Sequence, residues 1–158
     1  VLPPGRMAIE QRVFPLDGSC NTAVRARGRA QVGLAAQVRV CLEEDPRALD
    51  LAGWLHTDAA PLGTESIYAV AERLASREEL DACVSSAETA RKIGDDVELA
   101  LEAGLQGTPF LLVNGRPTPA FVPLLYALAL TGGESDHPIF DGLPAPIAAQ
   151  PGHEGHAH

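Results

Sequence analysis

Aromatic residues and cysteines are scarce in this chain. Aromatic side chains make up 4% of the 158 residues, whereas hydrophobic residues together make up 46%, so the core has to be built from Ala, Leu and Val. The three cysteines, Cys20, Cys41 and Cys83, are too few and too scattered for a disulfide scaffold, and their odd number leaves at least one unpaired within one chain. These scarcities predict a fold held together mainly by an aliphatic core.

Long apolar runs and basic residues are also scarce. The longest apolar run, residues 120–130, contains Pro123 and falls short of the roughly 18 residues that a membrane-spanning helix needs. Residues 1–5 have no basic stretch leading into an apolar segment, so they do not resemble a signal peptide. With 21 acidic against 12 basic residues, the net charge of −9 argues against nucleic acid or an anionic membrane as a partner.

Familiar catalytic and cofactor signatures are missing as well. The sequence has no Ser/His/Asp set, no phosphate-binding glycine loop and no EF-hand spacing, and we predict no cofactor. The tail histidines, His153, His156 and His158, would hold a metal ion only weakly through their imidazoles. We therefore predict no metal site.

The length of 158 residues favours one domain. We expect residues 1–143 to fold and residues 144–158, which are rich in Pro, Ala and His, to form a disordered tail. Residues 7–16 have strand-compatible side chains and are predicted to form a strand that ends at Asp17-Gly18.

Helical spacing of apolar residues dominates from residue 22 to residue 104. The first helix is predicted to run from Thr22 to Glu44, and the last to end at Gly104. Further helix starts are predicted near Asp45, Gly63, Ser76 and Ser86. Ser76 is followed three residues later by Glu79, which is the pattern of a capping box. The region thus predicts four or five short helices.

Residues 107–117, Gly-Thr-Pro-Phe-Leu-Leu-Val-Asn-Gly-Arg-Pro, predict a turn followed by a β-hairpin. Pro109 stands at the start of a short apolar strand, where its missing N–H costs no ladder hydrogen bond. Asn114-Gly115 favours a two-residue type I′ reversal into a second strand. A last helix is predicted over residues 121–130.

Two segments resemble the DsbA-like thioredoxin-fold thiol-disulfide oxidoreductases, including the domains fused to vitamin K epoxide reductase homologues. Residues 107–117 resemble the cis-proline loop and hairpin of that family. Residues 14–21, Phe-Pro-Leu-Asp-Gly-Ser-Cys-Asn, resemble the segment after its second strand. The resemblance implies an α/β, thioredoxin-like fold with a DsbA-type helical insertion. It also implies that the Thr108–Pro109 bond is cis and that the backbone of Gly107, Thr108 and Pro109 binds an extended polypeptide substrate.

The family uses a Cys-x-x-Cys motif, whose first cysteine attacks and passes through a mixed disulfide. No Cys-x-x-Cys occurs in these residues, so the first strand and the catalytic helix are expected to lie before Val1. The chain would then be the substrate-docking portion of a thiol-disulfide oxidoreductase that forms, reduces or isomerises disulfides. The alternative is a non-catalytic thioredoxin-like module that binds polypeptides and has lost its Cys-x-x-Cys, so enzymatic activity stays open.

The resemblance further implies partners and a location. The expected partners are a thiol- or disulfide-bearing polypeptide substrate and a membrane redox protein of the vitamin K epoxide reductase type. The implied location is extracytoplasmic, in the periplasm.

The sequence leaves the roles of the cysteines open. Cys20 precedes a predicted helix whose dipole would lower its pKa and favour a reactive thiol, although the resembling family does not use this cysteine as its nucleophile. Cys20 and Cys41 are also candidate structural thiols. An unbroken helix would hold them roughly 30 Å apart, and a bridge needs less than about 7 Å between Cα atoms. They can pair only if residues 21–30 fold back. Cys83 is predicted to be a core residue.

Overall fold

The computed structural model describes residues 8–25, 30–58, 62–132 and 141–144. The chain divides into two compact units. We call Gln11–Glu102 the helical unit, and we call Val1–Glu10 together with Ala103–His158 the hairpin unit. The predicted tail lies outside the described residues, except for Pro144.

Five helices make up the described regular structure of the helical unit, in agreement with the predicted four or five. Their bounds are α1 Ala30–Cys41, α2 Ala48–Thr57, α3 Thr64–Ala71, α4 Arg77–Val84 and α5 Ala87–Glu102. Helix α1 is central, because it packs against each of the other four. The core that α1 to α4 enclose comprises Val38, Leu42, Leu51, Leu55, Ile67, Tyr68, Val70, Ala71 and Leu80.

Local capping rules set several of the helix starts. The predicted capping box is present: the Glu79 N–H donates to Ser76 Oγ at 3.3 Å, and the Ser76 N–H donates to a Glu79 carboxylate oxygen at 2.8 Å. Helix α5 begins after Ser86, whose Oγ accepts the Thr89 N–H at 3.1 Å. Both starts were predicted, because each depends on residues only three positions apart.

Two predicted helix starts were wrong. The segment after Cys20 is not helical: Asn21 turns the chain by accepting the Ala23 N–H at 2.9 Å, and α1 begins only at Ala30. Residues 26–29 lie outside the described part. The second helix begins at Ala48 rather than at Asp45, because the Asp45 carboxylate accepts the Arg47 N–H at 2.7 Å and holds a turn there.

The predicted strand over residues 7–16 was also wrong for its described part, residues 8–16, which form no strand. The Val13 N–H donates at 2.9 Å to the carboxylate of Asp96 in α5, and Arg12 donates to the same carboxylate at 2.8 Å. The Val13 and Phe14 side chains pack on Val40, Ile93 and Val97. A helix side chain therefore takes the place that a neighbouring strand would have in a sheet.

The hairpin unit contains a two-stranded antiparallel sheet and one helix in its described residues. Strand β1 is Leu111–Val113, β2 is Arg116–Thr118, and α6 is Val122–Thr131. Asn114 and Gly115 have positive φ angles of 49° and 77°, as the predicted type I′ turn requires. The Asn114 side-chain amide donates to the carbonyl oxygen of Gly132 at 2.7 Å, which connects the turn to the end of α6.

Candidate functional site

The predicted site residues stand together immediately before β1. The Thr108–Pro109 peptide bond is cis, as the resemblance predicted. Gly107, Thr108 and Pro109 are all exposed, and half-buried Phe110 connects them to the strand. The loop thus presents backbone and small side chains at the surface rather than packing into the unit.

The register of the hairpin fixes which backbone groups of β1 point outward. The turn makes Val113 and Arg116 the first paired residues, Leu112 faces Pro117, and Leu111 faces Thr118. In an antiparallel ladder hydrogen-bonded pairs alternate with non-bonded pairs, so the N–H and C=O of Leu112 point away from β2. Among the described residues β1 pairs with β2 alone. The outer edge of β1 is therefore unpaired within that part of the chain.

The two edges of this small sheet are not equivalent. Pro117 lies opposite Leu112, at the position where β2 directs its backbone outward. Proline has no N–H, so it removes the donor from the outer edge of β2 without breaking the ladder to β1. Proline at such a position is a common way to prevent edge-to-edge pairing. The β1 edge alone retains its outward N–H at this point of the hairpin.

An open cavity of about 370 Å³ adjoins the loop. It is bounded by Pro109, Phe110 and Leu111, by residues 117–120 of β2 and the following turn, and by residues 142–144. None of these residues is charged. The sequence analysis missed this cavity, because residues 142–144 reach it from more than twenty positions away.

Cys20 is a free thiol that is not activated. It lies in a turn against α1, where a Cβ atom added to Gly33 would stand 3.2 Å from Cys20 Sγ. Burial, with a smaller contribution from the Asp17 carboxylate, raises the pKa of Cys20. The expected lowering by a helix dipole does not occur, because no helix begins there.

The disulfide of the chain joins Cys41 to Cys83, with a Cα–Cα distance of 5.9 Å. The pairing of Cys20 with Cys41 is therefore ruled out, and the assignment of Cys83 as a simple core thiol was wrong. Helices α1 and α4 pack side by side, which brings together two cysteines that sequence patterns cannot match. The buried hydroxyl of Thr89 lies 3.3 Å from Cys83 Sγ and donates to the Cys83 carbonyl at 2.8 Å.

No group of three or more His, Cys, Asp and Glu side chains is positioned to hold a metal ion within the described ranges. The tail histidines lie outside those ranges. Across the same residues, no helix combines the length and the apolar character that crossing a membrane requires.

No family model matches the chain, and no similar protein was found among the curated sequences or the solved structures.

Proposed function

We propose that this chain is the polypeptide-docking portion of a thioredoxin-like, DsbA-like thiol-disulfide oxidoreductase. An extended substrate segment adds as a strand to the outer edge of β1, beside Gly107, Thr108 and Pro109. The observation that carries the proposal is the asymmetry of the hairpin: the β1 edge keeps an outward N–H at Leu112, whereas Pro117 removes the corresponding donor from β2.

The spacing along the edge suits a short extended peptide. Backbone groups two residues apart in a strand point to the same side, so Phe110 continues the outward row that Leu112 begins. These groups give the affinity of strand addition, and a neighbouring pocket gives its selectivity. The uncharged cavity beside Pro109 would take an apolar side chain of the bound peptide.

The reacting cysteines do not belong to this part of the site. Cys41 and Cys83 are bonded to each other, and Cys20 has a raised pKa. In the proposed reaction, the thiolate of a Cys-x-x-Cys outside these residues attacks a substrate disulfide and releases one substrate thiolate. Its second cysteine then resolves the mixed disulfide. The role of the docking edge is to hold the substrate sulfur within reach of that thiolate.

The Cys41–Cys83 disulfide supports an extracytoplasmic location, because disulfides persist mainly in oxidising compartments. A membrane redox protein of the vitamin K epoxide reductase type remains part of the proposal as the partner that reoxidises or reduces the dithiol.

A second candidate is a binding module without redox chemistry, which the absence of Cys-x-x-Cys favours. It would use the same edge of β1. The two candidates differ in thiol exchange, since only an oxidoreductase forms a mixed disulfide with a cysteine-bearing peptide.

The docking edge can be tested with a synthetic peptide of about ten residues, rich in Val and Thr, with serine in place of cysteine. Titration of the 158-residue protein, followed by amide chemical shifts, should change the signals of residues 107–113. Leu112→Pro should weaken binding by at least about tenfold, because it removes the outward N–H. Leu112→Ala keeps that N–H and is the matched control. Equal binding by the proline and alanine variants would refute strand addition at β1.

A further inference from the structure

Helix α6 has a composition that is unusual for a helix at a protein surface. Its sequence, VPLLYALALT, contains no charged residue, and only Leu128 is fully buried. Val122 is 75% exposed, Tyr126 51% and Leu130 50%. A helix that is apolar all round is normally buried on all sides, so this face of α6 requires a cover.

The exposed residues form a row that is symmetric about its centre. Val122, Tyr126 and Leu130 follow one another at intervals of four, so they lie along one side of the helix. Tyr126 stands at the midpoint. Two such helices packed antiparallel would place Tyr126 against its own copy and Val122 against Leu130 of the second copy. A surface of this kind matches itself under a two-fold rotation, which is the requirement for a symmetric dimer.

Charge selects among the candidate occupants. Between Glu102 and Glu134 the only charged residue is Arg116, in a chain with a net charge of −9. Two copies repel each other through their acidic surfaces, but α6 has no charge to repel or to desolvate. An amphipathic helix that binds an anionic membrane has lysine or arginine on its polar face, and α6 has neither. The face therefore fits a second copy of this chain best.

We propose that the protein forms a two-fold symmetric dimer through α6, with Tyr126 on the axis and Val122 of each copy against Leu130 of the other. This inference does not depend on the proposed oxidoreductase function, because α6 and the outer edge of β1 are separate surfaces.

The first test is the molecular mass in solution. Sedimentation equilibrium from about 1 to 200 μM should give twice the chain mass of 16.6 kDa. Leu130→Glu should raise the dimer dissociation constant at least about 100-fold. Leu101→Glu changes an equally exposed leucine in α5 and should leave it within about twofold. A monomer at every concentration would overturn the proposal. A monomer that Leu130→Glu destabilises would also overturn it, because the same chain would then cover the face.

The second test reads the symmetry and does not depend on a disruptive variant. In a Cys20→Ala background, Tyr126→Cys should form an intermolecular disulfide when oxidised glutathione is added, because the two copies of this position meet on the axis. Val122→Cys alone should not cross-link, but a mixture of Val122→Cys and Leu130→Cys proteins should. Self-cross-linking of Val122→Cys as rapid as that of Tyr126→Cys would refute the antiparallel arrangement.

Discussion

The helical unit encloses nine apolar residues in one buried cluster, whereas the described part of the hairpin unit has only three buried residues, Ala103, Thr118 and Leu128. The surfaces differ in the same sense. The helical unit carries ion pairs such as Arg73–Asp58 and Arg77–Glu65, and the hairpin unit has a single charge between Glu102 and Glu134. Since exposed ion pairs stabilise little, the stability of the helical unit comes mainly from its core and its disulfide.

This contrast assigns different roles to the two units. The helical unit has a core, a cross-link and a charged surface, which are the features of a stable body. The hairpin unit presents an unpaired strand edge, an uncharged cavity and an apolar helix face, all of which can accept another polypeptide. We therefore expect changes in the helical unit to affect mainly stability and changes in the hairpin unit to affect mainly binding.

The largest effect on stability is expected from the disulfide. The Cys41–Cys83 bridge spans 42 residues, so replacing both cysteines with serine should lower the free energy of unfolding by about 2–4 kcal/mol. Urea unfolding under non-reducing conditions measures this loss. Cys20→Ser is the control and should cost less than about 1 kcal/mol. If the double variant unfolded at the wild-type urea concentration, the helical unit would not depend on its cross-link.

A smaller loss is expected at Asp96, which attaches residues 12 and 13 to α5. Asp96→Ala leaves the Val13 N–H without its acceptor, so the free energy of unfolding should fall by roughly 1–3 kcal/mol. Asp95→Ala is the matched control, because it removes the adjacent carboxylate, whose partner Arg91 is exposed. The control should stay within about 0.5 kcal/mol of wild type. Equal losses in the two variants would show that the N-terminal segment contributes nothing to the helical unit.

The smallest effect is expected at the start of α4. Ser76→Ala removes the N-cap hydroxyl and should cost about 1 kcal/mol. Thermal unfolding measures the loss near neutral pH. Ser85→Ala, at the other end of the same helix, removes a hydroxyl that donates to the Asp81 carbonyl and provides the comparison.

The effect of Ser76→Ala should also depend on pH. Hydrogen bonds from the Ser76 hydroxyl, and then from the Ser76 N–H, lower the pKa of Glu79. A carboxylate whose pKa falls on folding stabilises the protein fully above its unfolded pKa of about 4.3, and this contribution is lost as the pH falls through the folded value. The difference between wild type and Ser76→Ala should thus be constant from neutral pH to about pH 5 and shrink at lower pH. A difference that grows on acidification would contradict the assigned bonds.

Features that depend on a few neighbouring residues were determined by the sequence. The Ser76 capping box, the Asn114-Gly115 turn and the end of α6 at Gly132 each follow from residues within four positions. Local dihedral preferences and side-chain reach decide such features before any tertiary contact forms. The same rules located the loop of Gly107, Thr108 and Pro109.

Features that depend on distant residues were decided only by the tertiary structure. Residues 8–16 have the side chains of a strand, but Asp96, 83 positions after Val13, accepts the N–H that a strand partner would have taken. Three cysteines allow three single pairings, and only the packing of α1 against α4 selects Cys41 with Cys83. Backbone donors bind whichever acceptor the packing brings near, and a disulfide forms only between sulfurs that the packing brings together. Neither choice is written in the neighbouring residues.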